Sequence, residues 1–158
     1  MNIEFKRLTE VNKYDIIELM NNQLIRKHMP LLKGNFDENT CHSFINSKEL
    51  LWLEYGYGPW GFVYNETFIG WGGLQPENGE ADMAMVLHPK YWGLGKTLYI
   101  KIINYAFYEM GLKSITVLLP PSRTLVKGLL KMGFKQECRL EINSEYFIRY
   151  RLKNEIKS

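Results

Sequence analysis

Apolar positions recur along this chain with two periods, and the switches between them mark out its elements. Ile3 to Leu8 reads as a short strand. Asn12 then stands where a helix N-cap belongs, with Asp15 three positions on. Val11 and Ile16 are spaced as a hydrophobic staple, and Ile16, Met20 and Leu24 make one apolar stripe. A second helix is predicted from about Glu38 to Lys48, capped by Asp37 and apolar at Cys41, Phe44 and Ile45. From Pro59 the period drops to two. Trp60–Tyr64, Thr67–Leu74 and Ala81–Leu87 read as an antiparallel meander turning at Asn65-Glu66 and at Pro76-Glu77-Asn78-Gly79. The helical period returns over Gly95–Met110, with Leu98, Ile102, Ala106 and Met110 on one face and Gly111 as the stop. Ser114–Leu119 reads as a buried strand. Ser122 caps a further helix, with Leu125, Val126, Leu129 and Leu130 inward and Gly133 at its end. Phe134–Ile142 and Glu145–Lys153 form a hairpin turned at Asn143-Ser144. The order βααβββαβαββ predicts an α+β domain on one mixed sheet, a single domain over residues 1–158.

Composition narrows the function classes. Twenty Lys plus Arg against seventeen Asp plus Glu give a net charge of +3, with 46% apolar and 23% charged positions. A chain of this size buries roughly 68 to 70% of its unfolded surface, enough for one core without metals or disulfides. The basic excess is spread out, with no run that would track a phosphate backbone, so nucleic acid is not expected as a partner. Cys41 and Cys138 are too few for a secreted disulfide framework, which points to a reducing, cytoplasmic setting. Charges at Glu4, Lys6, Arg7 and Glu10 fall where a signal peptide needs its apolar stretch, and no run approaches the ~20 apolar residues of a membrane span. Asn65-Glu66-Thr67 has the form of a glycosylation acceptor, but reads as a turn between strands.

Several candidate groups have plain structural readings. Cys138 falls among the inward alternating residues Phe134, Gln136, Leu140 and Ile142, where a small hydrophobe is expected. Cys41 and His42 are helix neighbours and cannot face each other as nucleophile and base. His28, His42 and His88 lack metal-ligand spacing with either cysteine, so no metal is predicted. Trp52, Tyr55, Tyr57, Trp60, Phe62 and Tyr64 read mainly as core, with an acceptor-pocket wall as the alternative and Gly56 and Gly58 loosening the loop among them.

The informative segment runs from Met85 to Thr97: a strand, then His88-Pro89-Lys90-Tyr91-Trp92-Gly93-Leu94-Gly95, then the start of a long helix. A helix begins with free N–H groups and a partial positive charge, and glycines let an oxyanion approach closely, so this is a candidate anion cradle. The alternative is a tight turn using glycine for its backbone freedom alone. Gly95-Lys96-Thr97 mimics the end of a P-loop, but the glycine required five residues earlier is Lys90. The dinucleotide fingerprint fails as well, because its third glycine falls on Leu98.

Leu87-His88-Pro89-Lys90-Tyr91-Trp92-Gly93-Leu94-Gly95 and Lys131-Met132-Gly133-Phe134, with weaker likeness through Phe68-Ile69-Gly70-Trp71-Gly72-Gly73-Leu74, resemble the GNAT superfamily of acetyl-CoA-dependent N-acetyltransferases. The resemblance is in particular to the branch that includes the ribosomal-protein alanine N-acetyltransferases. The resemblance spans about Ile3 to Lys153 and implies the acyl-CoA N-acyltransferase fold, with acetyl-CoA and an amine acceptor as ligands. It places Trp92, Gly93, Leu94, Gly95, Lys96 and Thr97 on the pattern Gln/Arg-x-x-Gly-x-Gly/Ala, whose backbone N–H groups hold the coenzyme A pyrophosphate. Thr97 departs from the last position, and its branch would crowd a phosphate. Backbone groups of Met85, Val86 and Leu87 would pair with the pantetheine arm as an added strand. Lys90, Lys96, Arg123, Lys127 and Lys131 are candidates for the 3′-phosphate.

An amine must lose its proton before it attacks a thioester, so a base is expected. The resemblance points to Asp82, in the otherwise apolar run Asp82-Met83-Ala84-Met85-Val86, with Glu80 as the substitute. Burial there would raise its pKa; the alternative is that Asp82 faces solvent. The family's frequent tyrosine acid falls on Leu129, which cannot donate a proton, and Ser122 is the remaining hydroxyl candidate. The implied function is N-acetyl transfer to a primary amine, with a non-catalytic acyl-CoA-binding module as the rival.

Overall fold

A computed structural model describes residues 2–121 and 126–155 of the chain. The elements are β1 (Ile3–Lys6), α1 (Lys13–Met20), α2 (Gln23–Arg26), α3 (Glu38–Tyr55), β2 (Pro59–Tyr64), β3 (Thr67–Glu77), β4 (Glu80–Leu87), α4 (Gly95–Asn104), β5 (Ser114–Leu119), α5 (Lys127–Lys131), β6 (Lys135–Ile142) and β7 (Glu145–Lys153). The strands hydrogen-bond in the order β1-β2-β3-β4-β5-β7-β6, a mixed sheet in which β4 and β5 pair in parallel. The chain divides into two units, 1–75 with 84–93, and 76–83 with 94–158.

In the first unit, α1 and α3 are set by their caps, because Asn12 accepts from the Tyr14 N–H and Asp37 from the Thr40 N–H. Their apolar faces enter a core of Leu8, Ile16, Leu19, Met20, Ile25, Phe36, Cys41, Trp71 and Val86. The Trp71 indole N–H donates to the Met20 sulfur at 3.3 Å, and the Phe44 ring meets Trp71 at 5.1 Å. Leu24 departs from the predicted stripe and is 52% exposed, because α1 ends at its C-cap Asn21 and Asn22 caps a new short helix, which resets the phase. Helix α3 continues past Lys48 to Tyr55, although Leu50 and Leu53 face solvent. It stops where Gly56 takes a left-handed conformation (φ 74°) and donates to the Trp52 carbonyl. Gly58 is closely packed, since a Cβ there would lie 2.6 Å from the Trp52 ring.

In the second unit, Ile115, Val117 and Leu119 bury one face of β5, while Ser114 and Thr116 stand on the other, opposite Lys153 and Arg151 of β7. Leu98, Ile102 and Ala106 of α4 and its extension are buried as the stripe predicts. Beyond Asn104 the helix widens into a π turn over Tyr105–Glu109, with the Met110 N–H reaching the Tyr105 carbonyl. Leu129 is buried, but Leu130 is 48% exposed, contrary to the inward position predicted for it: α5 is one short turn and shows a single face inward. A bulge between Gln136 and Cys138 breaks the alternation of β6. Gln136 is therefore exposed where the pattern placed it inside, while Cys138 stays half-buried in step with Leu140 and Ile142. Asn65-Glu66, Asn78-Gly79 and Asn143-Ser144 all have positive φ at both residues, the form whose twist suits two-residue hairpins.

Candidate functional site

The β4–β5 register sets Asp82 beside Thr116. The Thr116 hydroxyl donates to Asp82 Oδ1 at 2.7 Å, and the two side chains are 4% and 1% exposed. The solvent-facing alternative for Asp82 is thereby excluded. Burial pushes its carboxyl from the ordinary range up to about 7. The Thr116 bond and the Arg149 charge oppose that rise, and the Glu77 charge adds to it. Among the described residues no hydrogen bond reaches Oδ2.

Glu80, two residues back on the same strand, has different surroundings. Arg151 grips it with two N–H groups, Nη1 to Oε2 at 2.9 Å and Nη2 to Oε1 at 3.0 Å. The same guanidinium donates to both oxygens of Glu137 and, from Nη1, to Ser114 Oγ at 2.7 Å. All five of its N–H groups are thus engaged. These bonds hold the Glu80 and Glu137 carboxyls below the usual range and the Arg151 pKa above its own. A carboxylate stabilised in this way is a poor proton acceptor, which disfavours Glu80 as the substitute base.

Past β4 the chain turns through Pro89–Leu94, a 3₁₀ helix that runs into α4. The turn is built from local bonds. The His88 N–H donates to the Ile69 carbonyl at 2.8 Å, the Lys90 N–H to His88 Nδ1 at 3.2 Å, and the Trp92 indole N–H to the Leu87 carbonyl at 2.9 Å. Neither Gly93 nor Gly95 has positive φ, and a Cβ on Gly93 would meet nothing within 4 Å. Glycine is therefore not needed at 93 for backbone freedom or internal crowding, and open space lies beside the main chain there. Leu94, at the N-cap of α4, makes no side-chain capping bond, unlike Asn12, Asn22 and Asp37. An uncapped helix start next to an unobstructed glycine fits an anionic group, as the pyrophosphate of coenzyme A requires.

Strand β3 supports the preceding stretch with bare backbone. A Cβ at Gly70 would lie 2.2 Å from the Val86 carbonyl oxygen, and one at Gly72 would lie 2.7 Å from that of Ala84. These contacts fix where the main chain of Met85, Val86 and Leu87 runs, with Met85 half-buried and the other two buried. Lys96 is exposed and Thr97 half-buried at the start of α4; Lys90, Lys127 and Lys131 are exposed.

Ser122 and Arg123 lie outside the described residues, as does Leu125. Leu129 offers only an apolar side chain. Cys41 is buried with its thiol pushed up by burial and its Sγ 3.7 Å from the Lys13 carbonyl, so it is a packing residue. Among the described residues no group of His, Cys, Asp and Glu could hold a metal ion, and no helix is long and apolar enough to cross a membrane.

Across residues 3–135 the chain matches the family model described as the acetyltransferase (GNAT) domain. The chain belongs to this family. The sequence resemblance is thereby confirmed at the level of the superfamily, and the mixed α/β fold is shared with solved members. An acetyltransferase (GNAT family) from Bacillus anthracis superposes with a TM-score of 0.77 at 18% identity, covering 99% of this chain and 97% of that one. The spermidine N-acetyltransferase from Vibrio cholerae, solved in complex with CoA and spermine, gives 0.75 at 16% identity over 96% and 95%. An acetyltransferase from Agrobacterium tumefaciens gives 0.76 at 13% identity over 95% and 90%. No curated protein sequence matches the chain. Within this GNAT protein the sequence missed Thr116 and Arg151. The signal for Thr116 was a lone hydroxyl between Ile115 and Val117 in a strand otherwise buried.

Proposed function

We propose that this GNAT acetyltransferase moves the acetyl group of acetyl-CoA to a primary amine, either a protein N-terminus or a small molecule, by direct transfer in a ternary complex. The observation that carries the reading is Asp82, a buried carboxyl at about 7 on the strand that leads into the turn before α4. An amine of pKa near ~10 is almost wholly protonated at neutral pH, and a base placed to remove that proton contributes roughly 10² to 10⁴-fold. Asp82 would do this through water. The backbone N–H groups from Trp92 to Thr97 would hold the pyrophosphate, and the main chain of Met85, Val86 and Leu87 the pantetheine arm. When bound, acetyl-CoA supplies the activated thioester. The solved relative with CoA and spermine supports both a coenzyme A ligand and an amine acceptor. The unpaired cysteines, one buried and one half-buried, support a cytoplasmic setting, and we read residues 1–158 as one catalytic domain.

A second reading, acyl-CoA binding without turnover, is favoured by Leu129 at the position where the family often carries its acid. Release of free thiol from acetyl-CoA across a panel of amines tests the choice: turnover with any primary amine supports transfer, and none with all of them supports the binding module. Both readings predict stabilisation by acetyl-CoA, about 2.7 kcal/mol at 100 times its dissociation constant. Unchanged melting in acetyl-CoA would overturn both.

A further inference from the structure

We propose that Thr116 is a positioning residue for Asp82, holding the carboxyl through Oδ1 so that Oδ2 is the oxygen that takes the proton. The proposal rests on the reading of Asp82 as the base. Thr116 is well suited to the task. It is 1% exposed, its branched side chain is stiff at χ1, and its strand is anchored by the fully buried Ile115 and by Val117. Its hydroxyl has one hydrogen to give, and at 2.7 Å that hydrogen lies on Oδ1. Oδ2 receives no hydrogen bond among the described residues, which leaves its lone pairs for a proton. The proton leaving the amine passes through water to Oδ2 and later returns to solvent, with no other bond changed.

The charged groups around Asp82 leave this work to a neutral donor. From β7, Arg151 is fully engaged with Glu80 of β4, Glu137 of β6 and Ser114, and makes no bond to Asp82. Arg149, also on β7, has its Nη1 at 3.6 Å from Glu137 and reaches Asp82 by charge alone. Glu77 at the end of β3 repels the ionised form. Among the described residues Asp82 has no direct ion pair and the Thr116 hydroxyl is its one hydrogen-bond donor, so removing that donor makes the carboxyl harder to ionise still.

The test is a titration of the carboxyl by ¹³C NMR in the intact protein, with Asp82→Asn to assign the signal, alongside pH profiles of kcat/KM. In Thr116→Val the midpoint and the acid limb of the profile should rise together by roughly one pH unit. Turnover should fall about fivefold at pH 7 and recover at pH 9. Thr116→Ser should restore both. Thr116→Ala deletes the same donor with a smaller side chain and should behave as Thr116→Val does. An unmoved midpoint and limb in the Val and Ala variants, with Asp82→Asn inactive, would overturn the proposal while leaving the base in place. Full turnover by Asp82→Asn at pH 7 and 9 overturns the base reading and with it the role of Thr116. The two failures are distinguishable because the NMR midpoint is read without turnover.

Discussion

Glu80 and Asp82 stand two residues apart on β4, yet Arg151 holds the first ionised while burial pushes the second up to about 7. Glu80 keeps 29% of its side chain in solvent and meets a bidentate cation, whereas Asp82 is 4% exposed and has a single hydroxyl. Strand and residue chemistry are nearly the same, so the difference lies in what each carboxylate can share its charge with. A guanidinium at 2.9 Å stabilises the anion directly, and one neutral donor recovers only part of the hydration lost on burial. The first carboxylate ties strands together, and the second is poised to exchange a proton.

The comparison breaks most visibly at Asp82. Asp82→Asn should lower kcat/KM by about 10² to 10⁴-fold at pH 7, with a smaller deficit at pH 9 where more of the amine is free base. Glu80→Gln, measured in the same assay, should leave the acid limb where it is.

Stability should follow the same contrast with opposite signs. The native Asp82 pKa lies above its unfolded value, so the native state holds that proton more tightly. The stabilisation is fully present below about pH 4 and is lost as pH rises through 7, on the order of 4 kcal/mol. Glu80 and Glu137 are lowered, and their contribution is present above their unfolded values and lost as pH falls below them. Melting temperature should therefore decline between pH 5 and 8, and Asp82→Asn should flatten that decline. A wild-type curve already flat over this range would contradict the burial argument.

Removing the clamp has a smaller effect. Arg151→Met leaves two part-buried carboxylates without their shared donor and should cost about 1 to 3 kcal/mol, read by urea denaturation. Smallest is Trp92→Phe, which deletes the bond to the Leu87 carbonyl. It should weaken acetyl-CoA binding several-fold, about 1 kcal/mol, by calorimetric titration with little change in melting temperature.

The features legible in the sequence are those set by nearby residues. Asn12 and Asp37 announce their helices, Asn65, Asn78 and Asn143 mark their turns, and Asp82 stands out as a charge in an apolar run. Its burial depends on distant elements, and so does the choice between Asp82 and Glu80. The Glu80–Arg151 pair spans 71 residues, and Asp82 meets Thr116 through a parallel register that no local pattern encodes. The end of α3 was hidden because Leu50 and Leu53 are apolar yet exposed, and the exposure of Gln136 because one bulged residue breaks the alternation that would turn it inward. At Gly93, sequence allowed both a turn glycine and an open cradle, and only the backbone angles show that the turn itself does not need glycine there.

The bare stretch of β3 has a consequence for mutational scanning. At Gly70 and Gly72 even a methyl group would be driven into the main chain of β4, so a saturation library should return glycine alone at both codons. A screen scored only by product formation would rank them beside Asp82, although their loss would be one of folding. Counting folded protein in each well would separate the two kinds of loss.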